Sequence, residues 1–330
     1  MLDDVSLIAL LVAMGLYAAA FIAFALDLAR RSALVADAAT VAARQPSAVG
    51  ATAARRGGTA TIEREPVASG PDAPMAPGRS ISLNVAMWLL SVGFVSHAVA
   101  TVLRGLAASR VPWANMYEFA MTGTLLILSV YLIVLTRRDL RFLGTFVTGL
   151  ILILLGIAVV QYRVEVAPLP PSLQSYWLVI HVFVAALGTG FFALAFALSG
   201  VQLLQFRRES LAADAQSMKM RFLATLPDSV TLESMAYRLN IVGFIFWTFT
   251  LMAGAIWAER AWGRYWGWDT KEVWTFIIWV LYAGYIHARA TRGWRGSRSA
   301  WLAIIGFSAV MFNFGVVNVF FKGLHTYSGL

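Results

Sequence analysis

FLGTFVTGLILILLGIAVVQ, Phe142 to Gln161, runs for twenty residues without a charged side chain. As a helix rising 1.5 Å per residue it is about 30 Å long, the thickness of a bilayer's hydrocarbon core. Apolar runs of this length recur, and spans are expected at roughly 5–28, 82–105, 115–136, 142–161, 175–205, 238–258, 272–291 and 300–321. Of the 330 residues, 59% are hydrophobic and only 13% charged, with a mean hydropathy of +0.72, far from the balance of a soluble domain. The sequence predicts an all-α fold, a polytopic transmembrane helical bundle of about eight spans. The first apolar run, Val5 to Leu28, is too long for a signal-peptide core and has no basic segment before it, so it is expected to be retained.

Between the first two spans lies a stretch rich in Ala, Pro, Gly, Ser and Arg without sustained apolar periodicity. Such a segment cannot bury enough apolar area to offset chain entropy, and disorder is expected. The chain then divides into an N-terminal transmembrane helix (1–28), a cytoplasmic linker (29–80) and a transmembrane domain (81–330). Orientation follows from the basic residues. With the N-terminus outside, segments 29–80, 137–141, 206–238 and 288–298 face inward and hold 19 of the 26 Lys and Arg. The expected setting is the cell membrane, with both termini and the 106–114, 162–174 and 262–274 loops on the outer side. The net charge of +9 is accounted for by these inner loops, and no nucleic-acid partner is expected. There is no cysteine, so the chain makes no disulfide and performs no thiol chemistry itself.

Two features stand out from the apolar background. One is WGRYWGWDTKEVW, Trp262 to Trp274, which holds four of the 12 tryptophans. Trp88, Trp113, Trp177 and Trp301 fit an interfacial aromatic belt. Trp262, Trp266, Trp268 and Trp274 are clustered in one loop, where Gly263 and Gly267 allow close backbone approach. Asp269 is either exposed and inert or the cap of the next span, with Glu272 three residues on as its capping partner. The other feature is the scarcity of histidine: His97, His181, His287 and His325. An ionisable group within a membrane is a functional candidate. His181 falls about 8 Å below the outer surface, His97 about 12 Å and His287 about 22 Å, by helical rise. His325 follows the last span. His181 and His325 can therefore flank the tryptophan loop. That arrangement suits a flat apolar ligand with a central metal, because neutral imidazoles bind haem iron axially and indoles pack on porphyrin. His97 and His287 differ in depth by about 10 Å, too much for a shared iron, and His97 reads as structural.

These residues carry a family resemblance. WGRYWGWDTKEVW resembles the tryptophan-rich WWD signature of haem-handling proteins in cytochrome c maturation, W-G-x-x-W-x-W-D-P-K-E-x-W, departing from it at Thr270. VPWANMYEF (111–119), WVLYAGYIHARATRGWRG (279–296) and the tail FGVVNVFFKGLHTYSG (314–329) resemble the CcsA/ResC branch, System II of cytochrome c biogenesis. The resemblance covers about residues 82–330. It implies a WWD transmembrane domain that takes haem b as substrate and ligand, moves it to the outer face and attaches it to the Cys-x-x-Cys-His motif of apocytochrome c. The partner it implies is a Ccs1/ResB-type membrane protein, with thiol-reducing pathway proteins acting indirectly. His181 and His325 match the outer haem-iron ligands beside the WWD loop. His287 matches the histidine of an inner haem site whose second ligand the partner would supply. Trp262, Trp266, Trp268, Asp269 and Trp274 are the other candidate haem-binding residues. No side-chain nucleophile is expected, since the reacting thiols belong to the apocytochrome and catalysis is by positioning. Two other readings are a haem transporter without ligase activity and a b-type haem electron-transfer subunit.

Overall fold

The computed structural model describes residues 1–44, 80–169, 171–213, 221–321 and 323–325. Among these residues there is no strand. The long helices are α1 (Leu2–Arg44), α2 (Ile81–Ala108), α3 (Met116–Leu135), α4 (Gly144–Gln161), α5 (Tyr176–Ala213), α6 (Ser229–Trp262), α7 (Thr270–Thr291) and α8 (Ser297–Phe312). A π-helical turn, Asn313–Val317, and a last turn, Asn318–Phe320, continue α8.

Every expected span contains a helix, but the helix ends differ. Apolarity locates the stretch that lies in lipid; the polar turns beyond it are fixed by caps and propensity. α6 begins at Ser229 rather than near 238 because Asp228 accepts the Thr231 N–H at 2.8 Å and its hydroxyl at 2.7 Å. α1 continues past Leu28 to Arg44 through an alanine-rich stretch, where high intrinsic propensity outweighs the missing apolar pattern. The remainder of the expected linker, 45–79, lies outside the described residues.

Seven of these helices are long and apolar enough to cross a membrane. α7, the remaining expected span, falls short in apolarity, as Lys271, Glu272, His287 and Arg289 sit among its tryptophans and tyrosines. Its 22 residues nevertheless measure about 33 Å, and it is tied to its neighbours at both ends. Trp247 Nε1 donates to the Thr275 carbonyl at 3.1 Å. At the far end Arg289 Nε pairs with Glu233 at 3.1 Å, while the Gly296 N–H donates to the same carboxylate at 2.8 Å.

α1 packs along α2 and α5 along α6. In lipid no hydrophobic force draws helices together, so close packing and polar bonds must do it. Gly243 on α6 lets Phe192 of α5 approach so closely that a β-carbon would fall 2.7 Å from its ring. Phe192 in turn stacks on Tyr282 of α7, centroids 3.6 Å apart at 4°.

Polar bonds sort the loops by end. Arg104 at the end of α2 is fully buried and binds Asp3 of α1 (2.5 Å), Glu118 of α3 (3.0 Å) and the Val164 carbonyl after α4 (2.9 Å). Arg110 reaches the same Glu118 at 2.6 Å. Asn318 bonds Met116, and Asp269 bonds His325. The start of α1, the 106–114, 162–174 and 262–274 loops and the chain around His325 thus gather at one end, as the topology required. A buried ion pair that loses one partner costs about 3–5 kcal/mol. Glu118→Gln, which strands Arg104 and Arg110, should lower stability by that order, read as a reduced melting temperature in detergent. An unchanged melting temperature would mean that the network contributes nothing to the fold.

Candidate functional site

His181 lies in the second turn of α5, and one face of α6 is shaped to receive it. Its Nδ1 is 3.0 Å from the Thr250 carbonyl, its ring stacks on Trp257 at 5.8 Å and 17°, and Gly254 lies against it. Residues 250, 254 and 257 follow the i, i+4, i+7 spacing of one helical face. At Gly254 a β-carbon would fall 2.7 Å from the imidazole. A carbonyl only accepts, so Nδ1 carries the proton and Nε2 keeps its lone pair for a metal.

His325 meets the same indole edge-on. Its ring is 5.3 Å from Trp257 at 70° and 4.8 Å from Trp262 at 69°. Its Nδ1 lies 2.5 Å from Asp269 Oδ2, and its backbone N–H donates to the same oxygen at 3.3 Å. This bond is the chief reason why the Asp269 carboxyl is held below the ordinary carboxylate range, with burial opposing it. Both histidines therefore have Nδ1 engaged and, among the described residues, Nε2 left over, the outer-shell arrangement that orients metal-binding imidazoles. Among the described residues no group of three or more His, Cys, Asp or Glu gathers to hold a bare metal ion. Two imidazoles suit an iron whose other positions a porphyrin fills.

Asp269 starts α7, where Glu272 Oε2 accepts the backbone N–H of Asp269 at 3.1 Å and of Gly267 at 2.8 Å in a capping box. Gly263 ends α6 with φ +71°, its N–H on the Glu259 carbonyl at 2.7 Å, a left-handed cap that favours glycine. The loop is thus clamped at both ends. Next to Asp269, Lys271 turns inward. Its ammonium donates to Asn318 Oδ1 and reaches the Asn313 carbonyl at 3.5 Å. The π-helical turn, which breaks the regular ladder at the end of α8, contains that carbonyl. Among the described residues no carboxylate lies within ion-pair distance of Lys271.

Two cavities adjoin the histidines, about 170 Å³ and about 90 Å³, and His181, Lys271 and His325 line both. The larger one also touches Trp266 and descends past Gly254 and Ala258 to Thr189 and Phe307. Its wall is mostly apolar, but Glu272 Oε1 and Asn313 Oδ1 lie in buried residues of that wall and have no hydrogen-bond partner among the described residues.

Residues 113–325 match the profile of the cytochrome c assembly protein family. The cytochrome c biogenesis protein CcsA of Trieres chinensis is 32% identical over 285 residues, covering 76% of this chain and 91% of its own length. CcsA of Guillardia theta is 34% identical over 234 residues, covering 66% and 77%. CcsA of Microcystis aeruginosa is 32% identical over 299 residues, covering 78% and 89%. The chain belongs to the cytochrome c assembly protein family.

The matched family region contains every candidate haem-binding residue but not His97, and the structure distributes them unequally. His181, His325 and Trp266 converge on the larger cavity, Asp269 holds His325 by its hydrogen bond, and Trp262 backs His325. Trp268 stands at the rim, 75% exposed, with φ +59°, a backbone state that is strained for a bulky residue. Trp274 packs on Phe312 at 4.4 Å, in the α7–α8 contact. His287 is exposed on the outer face of α7 and lines neither cavity. His97 is fully buried, its Nε2 3.0 Å from the Met121 carbonyl and its Nδ1 3.3 Å from the Tyr17 hydroxyl. Both nitrogens are used between helices, as its structural reading expected. Thr270, where the signature has proline, retains a backbone N–H that helps keep Asp269 ionised.

Sequence reasoning missed Lys271, Trp257, Thr250 and Gly254. Lys271 stood in view within the motif; the α6 residues had only their i, i+4, i+7 spacing. Asp269→Asn should weaken haem binding by about 10–100-fold, the usual cost of losing an outer-shell partner, as measured by haem titration of the purified protein. Unchanged affinity would leave Asp269 as a helix cap alone.

Proposed function

We propose that this cytochrome c biogenesis protein is the haem-handling subunit of a System II cytochrome c synthase. It acts with a Ccs1/ResB-type membrane partner to bring haem to the outer face and join it to the Cys-x-x-Cys-His motif of apocytochrome c. The observation that carries this reading is the paired histidine arrangement: two imidazoles on one indole, each with Nδ1 engaged and Nε2 available beside a cavity. The excess of basic residues in the opposite loops supports an outer position for this end, in the cell membrane.

Haem is here a substrate. His181 and His325 would take the two axial positions of its iron. Trp266, in the cavity wall, would pack on the porphyrin, with Trp262 behind His325 and Trp268 at the rim. Lys271, a half-buried ammonium that no carboxylate among the described residues pairs with at ion-pair distance, would receive a propionate, since an acidic ligand group offsets the cost of burying that charge. The apocytochrome supplies the reacting groups. Each thiol adds across a vinyl double bond, a C–S bond forms, and the thiol's hydrogen ends on the neighbouring carbon, so no oxidant is consumed. The incoming histidine of the motif replaces one axial ligand. His325 is the one suited to leave, as it sits on the tail while His181 is fixed within a helix. The chain's contribution is orientation, which alone can lower a barrier by several kcal/mol. His287, exposed on α7, would need a second ligand from the partner to complete an inner haem site.

An electron-transfer role would pair ligands on facing helices, whereas His325 lies beyond the last helix, which weighs against it. Co-expression with the partner and a Cys-x-x-Cys-His reporter separates ligase from transporter: covalent haem should appear on a denaturing gel. His181→Ala and His325→Ala should each abolish it. Normal holocytochrome from both variants would sink the assignment. Lys271→Met should leave the iron ligands in place yet reduce haem retention by roughly tenfold or more, in line with a charge-assisted bond of about 1.5–3 kcal/mol. Equal retention of haem and of its dimethyl ester by the wild-type protein would argue against a propionate partner.

A further inference from the structure

We infer that Trp257 is the positioning residue that holds His181 and His325 as one unit and so decides whether iron receives both axial bonds. This rests on the reading of the two histidines as haem ligands. Trp257 is 1% exposed, and one indole touches both candidate ligands. It lies nearly parallel to His181, centroids 5.8 Å apart at 17°, and edge-on to His325 at 5.3 Å and 70°. Trp262 closes the set, 4.8 Å from Trp257 and 4.8 Å from His325. The larger cavity is bounded by both histidines but not by Trp257, which lines only the smaller one. The indole thus backs the two imidazoles and leaves the larger cavity to a ligand.

The two histidines differ in how firmly the backbone fixes them. His181 is on a helix, and the Thr250 carbonyl sets its ring. His325 follows the last helical turn and depends on Asp269 and the two indoles. A stiff ring with only two side-chain torsions transfers the fixed position of α6 to the tail at little entropic cost. Asp269 sets the direction of His325 Nε2. Trp257 sets its distance from His181 Nε2. During ligand exchange the same contact would keep His181 bound while His325 departs.

The test uses the full chain co-expressed with its partner, with bound haem examined by absorption and electron paramagnetic resonance spectroscopy. The wild type should give the low-spin signature of two axial imidazoles. Trp257→Ala should retain haem but shift it toward a five-coordinate, high-spin form, and added imidazole should restore the low-spin signature. Trp257→Phe, which keeps a flat ring, should resemble the wild type. If the alanine variant does not accumulate, Trp257→Leu takes its place, since it fills much of the space without a planar face. A wild-type low-spin spectrum in the alanine or leucine variant overturns the inference. His181→Ala and His325→Ala run alongside as controls. If they lose the low-spin signature and Trp257→Ala does not, only the role of Trp257 falls; if they too remain wild-type, the ligand reading falls with it.

Discussion

The hydrogen bond from His325 to Asp269 joins the beginning of α7 to the chain beyond α8, and the site depends on it. It spans 56 residues of sequence and brings a tail with little helical support of its own against the indoles of α6. The same carboxylate is the first residue of the α7 cap, so the groups that start the helix also fix the direction of an imidazole. Glu272 secures the loop from inside by accepting the N–H groups of Gly267 and Asp269. Helix initiation and imidazole orientation are one construction. This explains how a short aromatic loop can be rigid although Trp268 is largely exposed.

The second constraint is the pairing of α5 with α6. Close approach at Gly243 sets their axial register, and that register places the Thr250 carbonyl, Gly254 and Trp257 opposite His181. A slip of one residue would turn this face by about 100° and leave the imidazole against bulkier side chains. The packing deep in the bundle and the chemistry at its end are therefore connected through a rigid helix pair.

Much of this was legible in the sequence, for identifiable reasons. Uncharged stretches such as 142–161 reveal spans because lipid demands apolar surface and internally bonded backbone. The position of basic residues located the loops that share an end. His181 and His325 could be paired because each was the histidine nearest that end on its own segment. The helix ends were not legible where alanine propensity or an aspartate cap, rather than apolarity, decides them, as at Arg44 and Ser229. Trp257 was hidden for another reason: a tryptophan inside an apolar helix looks like core until its neighbour across the helix pair is known. Lys271 was misleading because lysines are nearly always exposed, and only the fold reveals that its ammonium turns inward to Asn318. Trp274 and His287 stand in the stretches that carry the family resemblance, yet one packs between helices and the other faces outward.

The buried arginine at the end of α2 bears on how the chain is built. Asp3 in the first turn of α1 is held by Arg104 and Arg163, and Arg104 also needs Glu118 of α3 and the carbonyl of Val164 beyond α4. Helices emerge from the ribosome in order, so the first helix is inserted long before its polar end can be satisfied. Its final seat becomes available only when the fourth has crossed and the following loop has emerged. The bonds that seat Asp3 and Arg104 therefore cannot all form until four helices and the loop after the fourth are in place.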